Sequence, residues 1–293
     1  MESEYQGAKN DMQRQLSRQG YGDGTGVICR INEGTPDTTL EVDTPMVGKN
    51  PTDYFSIGNG IMAASDTSGT SAAYTTITGI TGNNSLGITA ATGMVDNDYL
   101  FIAHNNGTTS PTVSNINAEI MGLKGLIDDA TNVATFEGLA RGTYIWWKSY
   151  VNSNTTQRSL TDALMHTTYL EAKKKGDPKY ALTHFDVFSA YGQLLTPDRR
   201  YSDTMTLKGG FTGVNFNGIP VVADYDCPYD EMYFIDPSTL SVEDLAPMSF
   251  MDDDGSILDR SSTQPIWMAT LRYYANLANS ACNKSSALRD VIK

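Results

Sequence analysis

Between residues 27 and 103 the chain is built from short β-prone runs divided by turns, and this stretch constrains the fold most. Thr, Gly, Val and Ile dominate it. Turn sequences punctuate it at Thr35-Pro36-Asp37, Gly48-Lys49-Asn50-Pro51, Gly58-Asn59-Gly60 and Gly82-Asn83-Asn84. Gly, Pro, Asn and Asp reverse the chain, each by its own backbone preference. Between the turns lie VICRI (27–31), TTLEV (38–42), YFSIG (54–58), YTTITGI (74–80), LGITA (86–90) and DYLFIAH (98–104). Alternation of apolar residues sends successive side chains to opposite faces, so each run reads as a strand with one face for a core. Six such strands at close spacing predict a small β-sandwich or barrel-like unit. The stretch carries eight acidic and two basic residues, which excludes a basic RNA-binding sheet.

Before it, residues 3–19 read as an amphipathic helix. Tyr5, Ala8, Met12 and Leu16 recur at spacings of three and four and share one face, and Ser3 with Gln6 has capping-box spacing. The helix runs into YGDGTG (21–26). A phosphate-binding glycine loop follows a strand and opens a helix, because the helix N-terminus supplies the positive dipole end. Here the order is reversed, so these glycines read as a helix stop and chain reversal.

Residues 104–117 read as a polar linker, and MGLKGLIDD (121–129) opens a second region. Ser159 and Asp162 give a helix-start signal, and Leu160, Ala163, Leu164, Thr167 and Leu170 keep helical spacing up to Lys173–Lys175, Gly176 and Pro178. YALTH (180–184) reads as a buried strand and FDVFSAYGQLL (185–195) as a second helix, broken by Pro197. After KGGFTG (208–213), IPVVAD (219–224), MYFID (232–236) and LSVEDL (240–245) read as strands. SFMDDDGSILDR (249–260) reads as a hairpin, WMATLRYYANLAN (267–279) as a strand or helix, and CNKSSALRDVIK as a polar tail.

The 293 residues suffice for one large or two moderate domains. A net charge of −13 leaves no broad basic face for nucleic acid. Cys29, Cys227 and Cys282 are odd in number and far apart, which argues against a disulfide framework. The first ten residues, MESEYQGAKN, are charged where a signal peptide needs an apolar core, and no run of 18 apolar residues occurs, so no membrane span is expected. Around Asp252-Asp253-Asp254-Gly255 an EF-hand alignment puts Phe250 at position 1 and Ser261 at position 12, which fails. His104, His166 and His184 have no metal-ligand spacing. His184, at a strand end before a helix, reads as a structural histidine before a catalytic one. The carboxylate pairs Asp128-Asp129 and Asp224/Asp226 are too common a feature to mark an acid and a base. Trp146-Trp147 could stack on sugar, but an anchor on the core or on a neighbouring subunit is the preferred reading. No catalytic, cofactor-binding or metal constellation is assigned. That favours a structural or binding protein over an enzyme.

Several segments in order carry a resemblance: GAKNDMQRQLSRQGYGDGTG (7–26), GLKGLIDD (122–129), GLARGTYIWWKSYV (138–151), LTHFDVFSAYGQLLTPDRRY (182–201), LKGGFTGVNFNGIPVVADYDCPYDEMYFID (207–236) and FMDDDGSIL (250–258). Together they resemble the major capsid proteins of tailed bacteriophages, the HK97-fold group. The resemblance implies an α+β, HK97-like fold with a peripheral (P) domain of spine helix plus β-sheet, an axial (A) domain, and a β-rich insertion. Residues 1–26 would end the spine helix, 27–117 form the β-rich P-domain or insertion region, 118–248 mainly the A domain, and 249–293 the return to the P domain and a C-terminal tail. It further implies self-assembly into hexamers and pentamers of an icosahedral head in the virion, around double-stranded DNA held without sequence specificity. Portal, scaffolding and maturation-protease partners, assembly in the host cytoplasm, and no membrane or cofactor go with it. An encapsulin-like compartment and a β-rich carbohydrate-binding protein are the alternatives. In the family an N-terminal arm and an extended loop precede the spine helix, whereas this sequence starts within the helix. Trp146, Trp147, Asp198, Arg199 and Arg200 are the expected subunit-interface residues.

Overall fold

A computed structural model describes residues 2–33, 37–69, 73–89, 93–104, 113–195, 204–206, 212–252, 255–260 and 267–292. It is a mixed α+β protein with few helices and many strands. Helix α1 (Glu2–Tyr21) ends at YGDGTG, where Gly24 and Gly26 take φ values of +82° and +83°. Asp23 Oδ1 accepts the backbone N–H of Thr25 at 3.0 Å, which tightens the reversal. The glycines thus end a helix and start a strand, as their order in the sequence requires. At Gly26 a side chain meets two obstacles: the left-handed backbone, and the carbonyl of Asn115, into which a Cβ would run. Gly26→Ala is expected to cost about 2 kcal/mol or more. Gly79→Ala, with open space and an ordinary φ, should stay within about 0.5 kcal/mol. Urea melts of the two variants check this; equal costs would refute it.

The β-rich stretch forms β1 (Val27–Ile31), β2 (Thr39–Asp43), β3 (Gly60–Ala64), β4 (Ala73–Thr81), β5 (Ser85–Ile88), β6 (Tyr99–His104) and β7 (Val113–Ser114). Strand order runs β1-β2-β5-β4-β3-β6, and β6 pairs back to β1, all antiparallel. Six strands therefore close into a barrel, which removes the free edges an open sheet would expose. Strand β7 pairs with β6 at Ala103 and His104, beyond the residues that β1 covers. Inside, Ile31, Leu40, Val42, Ile61, Ile77, Leu86, Ile88 and Leu100 share one core cluster. On the outer face Val27, Met62, Ala64, Phe101 and Ala103 form another.

Five of the six expected strands are present. YFSIG is not a strand: Pro51–Tyr54 is a 3-10 turn, and the chain bends through 56–59 into β3. Strand β3, GIMAA, is buried at all five positions. A strand buried on both faces shows no polar alternation, so the sequence pattern passes over it.

Helix α2 (Leu123–Leu126) and the hairpin strands β8 (Thr135–Phe136) and β9 (Leu139–Ala140) follow. Gly122, ahead of α2, lies against the carbonyl of Gln19 and the backbone of Gly20, so the end of α1 and α2 meet where no Cβ fits. Then come β10 (Tyr150–Asn152), β11 (Arg158–Ser159), α3 (Asp162–Lys173), β12 (Tyr180–Thr183), α4 (Phe185–Leu194), β13 (Thr204–Thr206), β14 (Thr212–Phe216), β15 (Ile219–Ala223) and β16 (Met232–Ile235). Strands β17 (Leu240–Phe250), β18 (Asp259–Arg260), β19 (Trp267–Met268), β20 (Leu271–Asn279), β21 (Ser286–Leu288) and β22 (Val291–Ile292) complete the order. A mixed seven-stranded sheet runs β10-β21-β16-β12-β15-β14-β13, parallel at β10/β21 and β12/β15. Helices α3 and α4 cover one face through Met165, Tyr169, Val187 and Tyr191, packed with Phe216, Val221, Phe234 and Leu288. From the other face Tyr233, Ile235 and Ala287 join the cluster that fills the barrel.

Helix α3 is capped by Thr161, whose side chain accepts from the Leu164 N–H at 3.3 Å, not by the expected Ser159. The polar C-terminal segment is no tail. Ser286, Ala287 and Leu288 are fully buried between β10 and β16. Ser286 Oγ donates to the Thr168 carbonyl at 2.8 Å, and Ser285 Oγ accepts the Asp236 N–H at 3.2 Å. Serine is admitted to the core because each hydroxyl finds a backbone partner.

Strands β17 and β20 make a separate two-stranded antiparallel ribbon, registered from Leu240↔Asn279 to Phe250↔Leu271 with two bulges. Strands β18 and β19 pair beyond its end. The expected hairpin over 249–260 is therefore replaced by a longer one whose legs are 240–250 and 271–279, and WMATLRYYANLAN is strand.

Candidate functional site

Among the described residues no group of three or more His, Cys, Asp or Glu side chains is placed to hold a metal ion, and no helix is long and apolar enough to cross a membrane. Cys29, Cys227 and Cys282 are free and buried. His184 sits at the N-cap of α4, where Nδ1 accepts the Asp186 N–H at 3.1 Å. Burial lowers its pKa, so the ring is neutral and suited to accepting that bond. The histidine is a cap.

The two carboxylate pairs join elements. Tyr21 Oη of α1 donates to Asp224 Oδ2 at 2.8 Å, and Ser17 and Tyr54 both donate to Asp226. Burial holds the Tyr21 and Tyr54 phenols far above their usual range, which keeps them donors. Asp224 and Asp226 thus tie α1 and the 51–54 turn to the end of β15. Asp128 is fully buried and Asp129 is not. Asp128 accepts backbone N–H groups from Ala130, Asn132 and Val133 at 3.0–3.1 Å. Arg289 Nη1 reaches Asp128 Oδ1 at 3.1 Å, and Arg141 Nη1 lies 3.6 Å from Oδ2. Arg289 Nη2 donates to the carbonyls of Lys124 and Ile127 at 3.1 and 3.0 Å. Glu231 takes Lys124 Nζ at 3.0 Å, Arg289 Nε at 3.6 Å, and the Tyr233 hydroxyl. Burial pushes both acids up, but the Val133 N–H and Arg289 outweigh it at Asp128, and Lys124 and Arg289 outweigh it at Glu231, so both pKa values are lowered. Spacing signalled none of this, because Lys124, Asp128, Arg141, Glu231 and Arg289 converge from four separate parts of the chain.

Asp230 lies beside this network and, among the described residues, forms no ion pair of its own. Its carboxyl is pushed up to about 6, first by burial, then by Glu231 and, weakly, Asp290; Lys124 and a hydrogen bond from Gln157 oppose the rise. The folded value lies above the unfolded one of about 3.9. The folded protein therefore gains a proton as pH falls through 6, and stability from this group rises towards pH 4 and is lost above 6. Asp230→Asn should melt at a higher temperature than the parent at pH 7.5, and that gap should shrink at pH 5. A gap independent of pH would refute the assignment.

Exposed apolar surface gathers along α1 and the ribbon. Along α1 only Arg18 and Tyr21 are buried among residues 6–21. Ala8 is exposed and Met12 and Leu16 are half-buried, so the apolar stripe read from the sequence is only partly covered by its own chain. A groove of about 470 Å³ separates α1 at Lys9, Gln13 and Leu16 from the ribbon at Met248, Phe250 and Leu271. Another, of about 400 Å³, lies between the end of α1, the β12–β16 strands and the base of the ribbon. Strand β17 is exposed along most of its length, with Val242 at 62% and Leu245 at 89%, whereas β20 is mostly half-buried. At 11 residues β17 is about 36 Å long.

The Trp pair divides. Trp146 is 56% exposed beside Ile145 at 73%. Trp147 is 5% exposed, stacks on Phe136 at 5.8 Å, and donates Nε1–H to the Phe136 carbonyl at 3.2 Å. Its side chain is taken up within its own chain, so of the two tryptophans only Trp146 presents an exposed ring. Asp198, Arg199 and Arg200 lie outside the described residues.

No family model matches the chain, and no curated protein matches it. Among solved structures it is similar to a chain of the cyanophage A-1(L) capsid asymmetric unit, at 18% identity and a TM-score of 0.46, over 60% of this chain and 61% of that one. It is also similar to the holo-SrpI encapsulin complex from Synechococcus elongatus PCC 7942, at 13% identity and a TM-score of 0.39, over 48% of this chain and 53% of that one. The chain thus spans about three-fifths of the capsid chain's length and about half of the encapsulin's.

Proposed function

We propose that this chain is a shell subunit: it assembles with copies of itself, through hexamers and pentamers, into the icosahedral head of a phage that encloses double-stranded DNA. The observation that carries this reading is the ribbon. Two antiparallel strands alone are marginally stable in water. This pair is long, carries exposed large apolar residues, and among the described residues pairs with no third strand, as an edge open to another chain would. With the half-covered stripe of α1 beside it, the ribbon makes a surface that neighbours would complete. On this reading α1 and the ribbon belong to the P domain, the sheet with α3 and α4 forms the A domain, and the barrel is the insertion. Repeated contacts let modest interfaces hold a closed shell, because each subunit joins several others. The charge of −13 suits a wall that confines DNA without gripping its phosphates.

The test is electron microscopy of the purified chain across a concentration series, with nucleic acid and protein content read separately. Closed particles that retain DNA when produced with packaging proteins support the phage reading. Particles holding protein cargo instead would favour the encapsulin-like one. A chain that stays monomeric throughout contradicts both.

A further inference from the structure

The geometry points to a specific self-contact: we propose that the knob formed by Tyr144, Ile145 and Trp146 seats in the apolar groove of a neighbouring copy, lined by Leu16, Tyr21, Leu182, Ile235, Leu240 and Leu277. This rests on the reading of the chain as a self-assembling subunit, and it names the surfaces that meet.

The knob is rigid before it meets anything. Its turn is closed by Tyr144 N–H to the Ala140 carbonyl at 3.0 Å and Trp147 N–H to the Tyr144 carbonyl at 2.8 Å. Beneath it Trp147 is a buried plug, and the fully buried Arg141 donates to the carbonyls of Leu126 and Val133 at 3.0 and 3.2 Å. Trp146 packs edge-on against Trp147 at 5.5 Å and lies 5.8 Å from Tyr144. A preorganised aromatic cluster loses little freedom on docking, and Trp and Tyr are the residues that most often dominate an interface.

Charge selects a second copy as the occupant. Two chains of −13 repel each other wherever carboxylates meet. From Gly138 to Trp147 the only charged residue is Arg141, which is buried. None of the ten residues lining the groove is charged. Knob and groove are therefore surfaces on which copies can meet without bringing like charges together.

Shape fixes the kind of contact. The knob is convex and the groove, at about 400 Å³, is concave, so each complements the other and neither complements itself. That makes the contact heterologous, head to tail, the kind that closes into a ring when the rotation between copies returns on itself.

The test places p-benzoylphenylalanine at position 146 in the full chain, irradiates assembled material, and maps inter-chain adducts by mass spectrometry. Position 57, in the turn before β3 and at 68% no less exposed, is the control. Adducts on peptides that contain 16–21, 180–182, 235–240 or 277 are expected. Particles that form normally but give adducts elsewhere, or none, overturn the knob-and-groove contact and leave the shell reading standing. A parent chain that never assembles overturns both. In parallel, Trp146→Ala should raise the concentration needed for assembly about thirtyfold, as for an interface hot spot, with an unchanged monomer melting temperature. An unchanged assembly threshold also overturns the contact.

Discussion

Replacing Arg289 with Ala is expected to cost about 3–5 kcal/mol of unfolding free energy, the usual penalty for breaking a buried ion pair from one side. Arg289 bridges Asp128 and Glu231 and donates to two backbone carbonyls of the α2 region. Its removal leaves the Asp128 carboxylate with Arg141 at 3.6 Å and Glu231 with Lys124, and it strips partners from the carbonyls of Lys124 and Ile127. Against a total stability of about 5–15 kcal/mol such a loss is large. Arg289→Lys should recover only part of it, because an ammonium cannot span two carboxylates and two carbonyls with fixed fork geometry. Urea unfolding at pH 7 measures both variants. A cost below about 1 kcal/mol for Arg289→Ala would show that the network is not what locks the C-terminal strand to α2.

The second large effect falls on assembly. Leu245→Asp is expected to leave the isolated chain within about 0.5 kcal/mol of the parent, since Leu245 is 89% exposed and packs on little. If the ribbon is covered by a neighbour, the same change buries a carboxylate without a partner. That costs about 3 kcal/mol or more per contact, or about two decades in the concentration at which particles form. Val242→Asp, at 62% exposure, should act in the same direction. Sedimentation velocity across a dilution series, with thermal melts of the monomer, separates the two readouts. Assembly unaffected by Leu245→Asp would remove the ribbon from the interface.

Legibility in the sequence followed the physics of each element. Helix α1 and strands β2, β4 and β5 were readable because each has one wet face, and the YGDGTG stop because its turn residues are chemically committed; β1 and β6, buried on both faces, were readable only as runs of Val, Ile, Leu and Phe. Strand β3 was not, since GIMAA is buried on both sides. The C-terminal strand was hidden differently: Ser285 and Ser286 look like surface residues until their hydroxyl partners on Asp236 and Thr168 are known. Thr161 rather than Ser159 caps α3, a difference of two residues that only backbone geometry decides. For the surface, the sequence picked out Trp146 and Trp147 together but could not tell which of two adjacent tryptophans points outward. The buried network was invisible, because its five charges come from α2 and the loop after it, the turn after β9, the residue before β16 and the residue after β21.

Everything turns on whether copies of this chain cover the ribbon and the stripe of α1. Hydrogen exchange of β17 and β20, measured on monomer and on assembled material from one preparation, addresses that directly. Fast exchange along 240–250 and 271–279 in the monomer, slowed at least tenfold in closed particles, is the predicted result. Equal exchange in both states, or particles that never form, would contradict it.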